Sequence, residues 1–132
     1  MTTIPITLGT AGIMGLILLA LSINVSRVRI KLRVISGDGS GVAGAESLGV
    51  AMRTQANFIE YVPLILLIMG AIEAAGAPRW LVGALAAALV VARLAHPVGM
   101  TMAAPNIARA GGAMLTWVVL GVAAVTAVAI AF

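Results

Sequence analysis

The chain of 132 residues has no cysteine, one histidine and only four acidic residues. Without cysteine it can form no disulfide, no thiolate metal site and no cysteine nucleophile. One imidazole and four carboxylates are a thin donor set, so no metal site is expected. Charged residues make up 9% of the chain and aromatic residues 4%, against 62% hydrophobic. A body this small has a large surface for its volume and cannot hide so much apolar area from water. The composition therefore points to lipid as the solvent and to an integral membrane protein. A net charge of +4 does not imply nucleic acid, because the basic residues gather beside apolar runs and form no extended stripe.

What is present is four long apolar runs. A helix rises 1.5 Å per residue, so about 20 apolar residues cross a hydrocarbon core of roughly 30 Å. The runs extend from about Ile4 to Ser26, Glu46 to Ala75, Arg79 to Met100 and Arg109 to Phe132. They predict an all-α, four-helix transmembrane bundle occupying residues 1–132 as a single domain. No lysine or arginine precedes the first run, which is also too long for a signal h-region, so a span is expected there and not a cleaved leader. Pro78 suits the start of the third span. The short connection "EAAGAPRW" makes spans two and three antiparallel neighbours. Small residues recur along span three at Gly83, Ala87 and Val91 and at Ala84, Ala88 and Ala92, a spacing that lets helix backbones approach closely. Pro63 is expected to kink span two.

Positive residues near span ends mark the cytoplasmic side. The first connection, read as a loop from Arg27, carries Arg27, Arg29, Lys31 and Arg33, and the third carries Arg93 and Arg109 at its edges. The second holds only Arg79. Connections one and three are thus expected to face the cytoplasm and both termini the opposite side. Asp38, in "GDG", reads as a turn residue, and Glu73 as a solvated residue at the far face.

The polar residues of span two stand out. In "RTQANFIEYVP", Arg53, Asn57 and Glu60 are spaced i, i+4, i+7, which is one helical face, and Tyr61 lies beside it. Ionisable groups inside a span are costly and normally face protein or a cavity. Arginines hold carboxylates bidentately, a glutamate accepts from an ammonium, and an asparagine both donates and accepts. Such a set suits a small zwitterion with more than one carboxylate, and a further arginine would stabilise a thiolate.

With four spans, a basic end to span one, the "GDG" loop, "RTQANFIEYVP" opening span two and "ARLAHPVGM" closing span three, the chain resembles the membrane-associated proteins in eicosanoid and glutathione metabolism, the MAPEG family. It looks most like the short bacterial branch. The resemblance implies a homotrimer in the bacterial inner membrane, with glutathione as co-substrate bound between subunits toward the cytoplasm. It implies conjugation of lipophilic electrophiles or reduction of lipid hydroperoxides. By position it assigns Arg53, Asn57, Glu60 and Tyr61 to glutathione binding, with Arg29 on the carboxylates. Arg93, the span-three arginine, is placed among the glutathione-binding residues too, and His96 is expected to add a polar contact. Arg109 matches the arginine that promotes the thiolate, supplied by the adjacent subunit. The chain departs from the pattern at Met100, where several characterised enzymes have tyrosine; a thioether cannot donate as a phenol does.

Two other readings stand beside this one. The same family contains a non-catalytic lipid-binding accessory protein, and fold alone does not settle chemistry. Small four-span multidrug transporters share the length but use a glutamate in span one, which here has no acid.

Overall fold

The computed structural model describes residues 3–132. Four α-helices follow one another: α1 Pro5–Leu32, α2 Ala45–Ala74, α3 Arg79–Met100 and α4 Ile107–Ala131. All four are long and apolar enough to cross a membrane. With 22 residues, α3 is about 33 Å long and matches the hydrocarbon core. With 28 and 30 residues, α1 and α2 are about 42 and 45 Å long and reach past it.

That overhang corrects the expected boundary at Ser26. The basic segment is helical through Leu32, so Arg27, Arg29 and Lys31 project from α1 and not from a loop. The cause is a second, small apolar core. Val25, Val34, Leu48 and Ala51 are buried together, with Val28, Leu32 and Met52 packed against them. The ends of α1 and α2 hide these side chains from the interface by continuing as a pair. The helix stops at Arg33, in the left-handed region at φ 57. There the Val34 N–H donates to the Arg29 carbonyl at 3.0 Å, satisfying a C-terminal acceptor. In the following loop Asp38 makes the expected turn: its Oδ1 accepts from the Ser40 hydroxyl at 2.6 Å and from the Ser40 N–H at 3.0 Å. These bonds, the hydroxyl's foremost, hold its carboxyl below the usual carboxylate range.

The middle of the bundle is α2 and α3. Helix α1 packs on both from one flank and α4 on both from the other, and among the described residues α1 and α4 do not meet. The buried stripe of α2 is Phe58, Val62, Ile65, Met69 and Ile72, alternating steps of four and three that keep one face inward. It meets Val82, Leu85 and Leu89 of α3, Met14 of α1, and Val119 and Ala123 of α4. Large apolar side chains on the outer faces, such as Leu16, Leu67, Val91 and Val125, are left for lipid. Helix α2 continues unbroken through Pro63.

The close helix approach falls elsewhere than the small-residue rows on α3 suggest. Gly83 borders open space, Ala84, Ala87 and Val91 are exposed, and of the six only Ala92 is buried. The tight crossing is between α3 and α4. A Cβ on Gly112 would lie 2.9 Å from the Ala92 carbonyl oxygen and the His96 nitrogen, and one on Gly99 would lie 2.6 Å from Arg109 Cα. Two glycines therefore let the first turns of α4 press on the last turns of α3.

Glu73 also differs from expectation. Its Oε1 accepts from the Ile6 N–H at 2.9 Å and its Oε2 from the Thr7 N–H at 2.8 Å. The first N–H groups of a helix have no internal partner, and the N-cap residue of α1, Ile4, offers no side-chain acceptor. A carboxylate from the end of α2 fills that need and meets the positive end of the α1 dipole. It is a cap across helices, where a solvated surface acid was expected.

Candidate functional site

The i, i+4, i+7 face of α2 opens onto a cleft of about 310 Å³. Its walls are Arg53, Ala56, Asn57 and Glu60 from α2, His96 and Met100 from α3, and Arg109 from α4. Five of the eight site residues expected from sequence are thus brought together within one chain. Arg53, Glu60 and Arg109 are exposed to the cleft, Asn57 is half-buried and His96 is buried. Two guanidinium groups face one carboxylate, so the cleft favours an anion that carries a smaller positive group. Arg109 lines the cleft of its own chain; the resemblance implied that it would come from a neighbour.

Arg93 stands behind this wall, not in it. It is 1% exposed. Its Nη1 donates to Asn57 Oδ1 at 3.1 Å and its Nη2 to Thr116 Oγ1. The Thr116 hydroxyl donates onward to the Gly112 carbonyl at 2.7 Å. Burying a guanidinium is costly unless it is hydrogen-bonded, and these bonds tie α2 and α4 to α3. Arg93 was expected among the glutathione contacts; in the chain it stands behind the cleft lining and bonds to Asn57. It fixes Asn57 with its carbonyl engaged and leaves the amide NH₂ as the group the cleft can use.

Arg109 is also held from behind. Asn106 is the N-cap of α4: its Oδ1 accepts from the Arg109 N–H at 2.8 Å, while its Nδ2 donates to the Gly99 carbonyl at 2.9 Å and the Ala103 carbonyl at 3.1 Å. One amide thus starts α4, ties it to the end of α3 and sets the height of Arg109. An asparagine directly before an apolar run is an N-cap signal, and it was available in "PNIAR". Thr116 had no such signal.

Two further expected site residues are not among those that line the cleft. Tyr61 is half-buried against the main apolar core. Arg29 belongs to α1, on the flank opposite α4; its Nη2 donates to the Met52 sulfur at 3.5 Å. It lines a separate hollow with Ser26, Ile30, Arg33, Val34 and Ile35.

Apolar spaces adjoin the cleft on both sides. His96 and Arg109 also line a hollow of about 390 Å³ with Ala104, Pro105, Ala110 and Ala113. Met100 is shared with a groove of about 500 Å³ between α1, α2 and the end of α3, lined by Leu21, Val28, Val50, Ala51 and Pro97 among others. The polar cleft is flanked by places for a greasy molecule, with Arg109 at one boundary and Met100 at the other.

The model of the MAPEG family matches residues 7–129. The chain belongs to the MAPEG family. Among curated relatives it is similar to the "Inner membrane protein YecN" of Escherichia coli strain K12, with 35% identity over 89 residues, covering 67% of this chain and 65% of that protein. The protein of the same name from Escherichia coli O6:H1 matches to the same extent. The match thus spans a little under two thirds of the length of these curated relatives. No solved structure matches. Four apolar helices and an inner-membrane relative make this MAPEG protein an integral protein of the bacterial inner membrane.

Proposed function

We propose that the chain is a glutathione-dependent membrane transferase or peroxidase acting on lipophilic electrophiles or lipid hydroperoxides. The observation that carries this reading is the gathering of Arg53, Asn57, Glu60 and Arg109 around one cleft. Glutathione presents two carboxylates, an ammonium and a thiol, and the cleft offers a partner of the right kind for several of these. Arg53 provides a fork for a carboxylate, Glu60 an acceptor for the ammonium, and Asn57 a free amide NH₂. At about 310 Å³ the cleft lies at the small end of the roughly 300–1,000 Å³ usual for ligand sites. A homotrimer, in which a neighbouring copy covers the open side, is part of the proposal.

Arg109 would act on sulfur. A free thiol ionises near pKa 8.5, and each unit by which a cation lowers that value corresponds to about 1.4 kcal/mol. A guanidinium stays protonated and cannot serve as the base, so the thiol proton leaves to water while Arg109 holds the thiolate. With an electrophile, the thiolate forms a C–S bond and the leaving group departs with its electron pair. With a hydroperoxide, sulfur takes the terminal oxygen, the O–O bond breaks and the alkoxide picks up a proton. A second glutathione then converts the sulfenic acid to the disulfide and water. The apolar hollow that shares Arg109 is where such a substrate would lie.

Calorimetry with glutathione tests this. Wild type is expected to bind at millimolar concentration or below, and Arg53→Ala and Arg109→Ala to bind more weakly. The ultraviolet absorbance of bound thiolate should vanish in Arg109→Ala. Wild type that binds no glutathione, or two variants that bind as wild type does, would overturn the assignment.

A second reading, a non-catalytic lipid-binding protein of the same fold, is favoured by Met100. A residue that cannot donate occupies the cleft wall and opens on the other side to the 500 Å³ apolar groove. Met100→Tyr separates the two readings. For the enzyme, a new phenol donor should tighten glutathione about three- to tenfold, the usual net worth of one hydrogen bond. For the lipid-binding protein, thiolate should be absent before and after the change.

A further inference from the structure

Among the described residues, His96 and Arg109 are the two that line both the polar cleft and the apolar hollow beside it. The chain has one histidine, and it stands at this boundary. His96 is 6% exposed, yet neither ring nitrogen is among the sealed, unpartnered polar atoms. What little of the residue is open faces the two spaces. Its place follows from the tight crossing of α3 and α4. A Cβ on Gly112 would lie 2.9 Å from His96 Cβ, so His96 packs on the face of α4 that carries Arg109 one turn earlier. Gly99, one turn after His96, meets the backbone of Arg109 itself. The imidazole therefore springs from a point roughly 5 Å deeper in the membrane than the Arg109 backbone.

Reduction of a lipid hydroperoxide leaves an alkoxide on the side of the apolar hollow, and that oxygen needs a proton. Few groups there can give one. Arg109 does not release its proton, and the Met100 thioether has none. The hollow is otherwise lined by Ala104, Pro105, Ala110, Ala113 and Asn106, and the Asn106 amide is engaged as the cap of α4. Glu60 lines the cleft but not the hollow. An imidazole takes and gives a proton near neutral pH. We propose that His96 is the general acid of hydroperoxide reduction. The thiolate sulfur takes the terminal OH and becomes the sulfenic acid. As the O–O bond breaks, its electron pair goes to the lipid oxygen, and the imidazolium N–H donates its proton there to give the alcohol. The neutral ring regains a proton from the cleft water that received the one lost by the thiol, so protons balance over the step. The inference rests on the glutathione reading and assigns the proton donor that this reading leaves open.

The test compares two substrates on the purified, untagged full chain in non-ionic detergent: cumene hydroperoxide and chlorodinitrobenzene, each with glutathione. The aryl chloride expels chloride, which needs no proton, so its rate reports glutathione binding and thiolate without the acid. His96→Gln should lower kcat for the hydroperoxide about a hundredfold more than kcat for the aryl chloride, the lower end of what general acid catalysis supplies. A solvent deuterium isotope effect on the hydroperoxide step, and not on the aryl chloride step, should be present in wild type and lost in the variant. If His96→Gln folds poorly, diethyl pyrocarbonate on folded wild type serves instead, because it meets a single imidazole. The ratio of the two rates should shift in the same direction and return with hydroxylamine. Equal losses on both substrates overturn the acid role and leave His96 as a residue that binds or positions glutathione. So does an unchanged hydroperoxide rate, or a wild type that binds glutathione and conjugates the aryl chloride but reduces no hydroperoxide. Wild type that binds no glutathione overturns the glutathione reading, and this step with it.

Discussion

Arg93 carries a full charge in the middle of four apolar helices, so its few partners matter more than their number suggests. Thr116 Oγ1 is one of them, and Thr116 is itself 0% exposed. Thr116→Val removes the hydroxyl at nearly constant volume and leaves a guanidinium N–H buried and unpaired. The expected cost is about 1–3 kcal/mol, measurable as a shift in unfolding by sodium dodecyl sulfate in mixed micelles. Thr116→Ser, which restores the hydroxyl, should recover most of it; equal loss in both variants would mean that packing, not hydrogen bonding, is what Thr116 supplies. At this scale the sequence was legible in one respect and not in another. The spacing of Arg53, Asn57 and Glu60 placed three side chains on one face, because a single helix fixes that geometry. Nothing in the spacing of Arg93 distinguishes a residue that touches ligand from one that holds Asn57 from behind, because that depends on how α2, α3 and α4 rotate against one another.

The next scale is the helix pair, where α3 and α4 set Arg109 in place by contact at Gly99 and Gly112. Gly99→Ala drives a methyl group into the first turn of α4, 2.6 Å from Arg109 Cα. Backbone cannot yield as a side chain does, so α4 must shift, at a cost of about 1–3 kcal/mol. The shift should also displace Arg109 and weaken glutathione binding by more than the stability loss alone would. Gly83→Ala, whose new methyl meets nothing within 4 Å, is the control and should stabilise or leave α3 unchanged. The other pair, α1 with α2, is held at one end by Glu73. Glu73→Ala uncaps the Ile6 and Thr7 N–H groups and should cost about 0.5–2 kcal/mol, read as faster amide exchange confined to the start of α1. Most element boundaries were legible in the apolar runs, those of α2 to within one residue at each end. The limits of α3 agree with the apolar run, whereas α1 overran its run by a turn and a half. The small core around Val25, Val34, Leu48 and Ala51 is a contact between two helices, invisible in either one alone.

For the whole molecule, the arrangement of α1 and α4 on opposite flanks of α2 and α3 separates two groups of arginines that the sequence placed together on the cytoplasmic side. Arg29 and Arg33 line a hollow of their own, whereas Arg53 and Arg109 line the polar cleft between α2, α3 and α4. Which side of the membrane both face follows from the charge bias of the connections, and the absence of cysteine makes that testable with little disturbance. Single cysteines at Ser40, in the loop between α1 and α2, and at Ala75, the exposed C-cap of α2, are the only thiols in each variant. With the basic connection inside, a membrane-impermeant maleimide added to spheroplasts should label the Ala75→Cys variant and spare Ser40→Cys until the membrane is opened. Labelling of both before permeabilisation would indicate dual insertion. The reverse pattern would move the polar cleft and the Arg29 hollow to the opposite face. The proposed supply of a thiol from the cytoplasm depends on the first outcome.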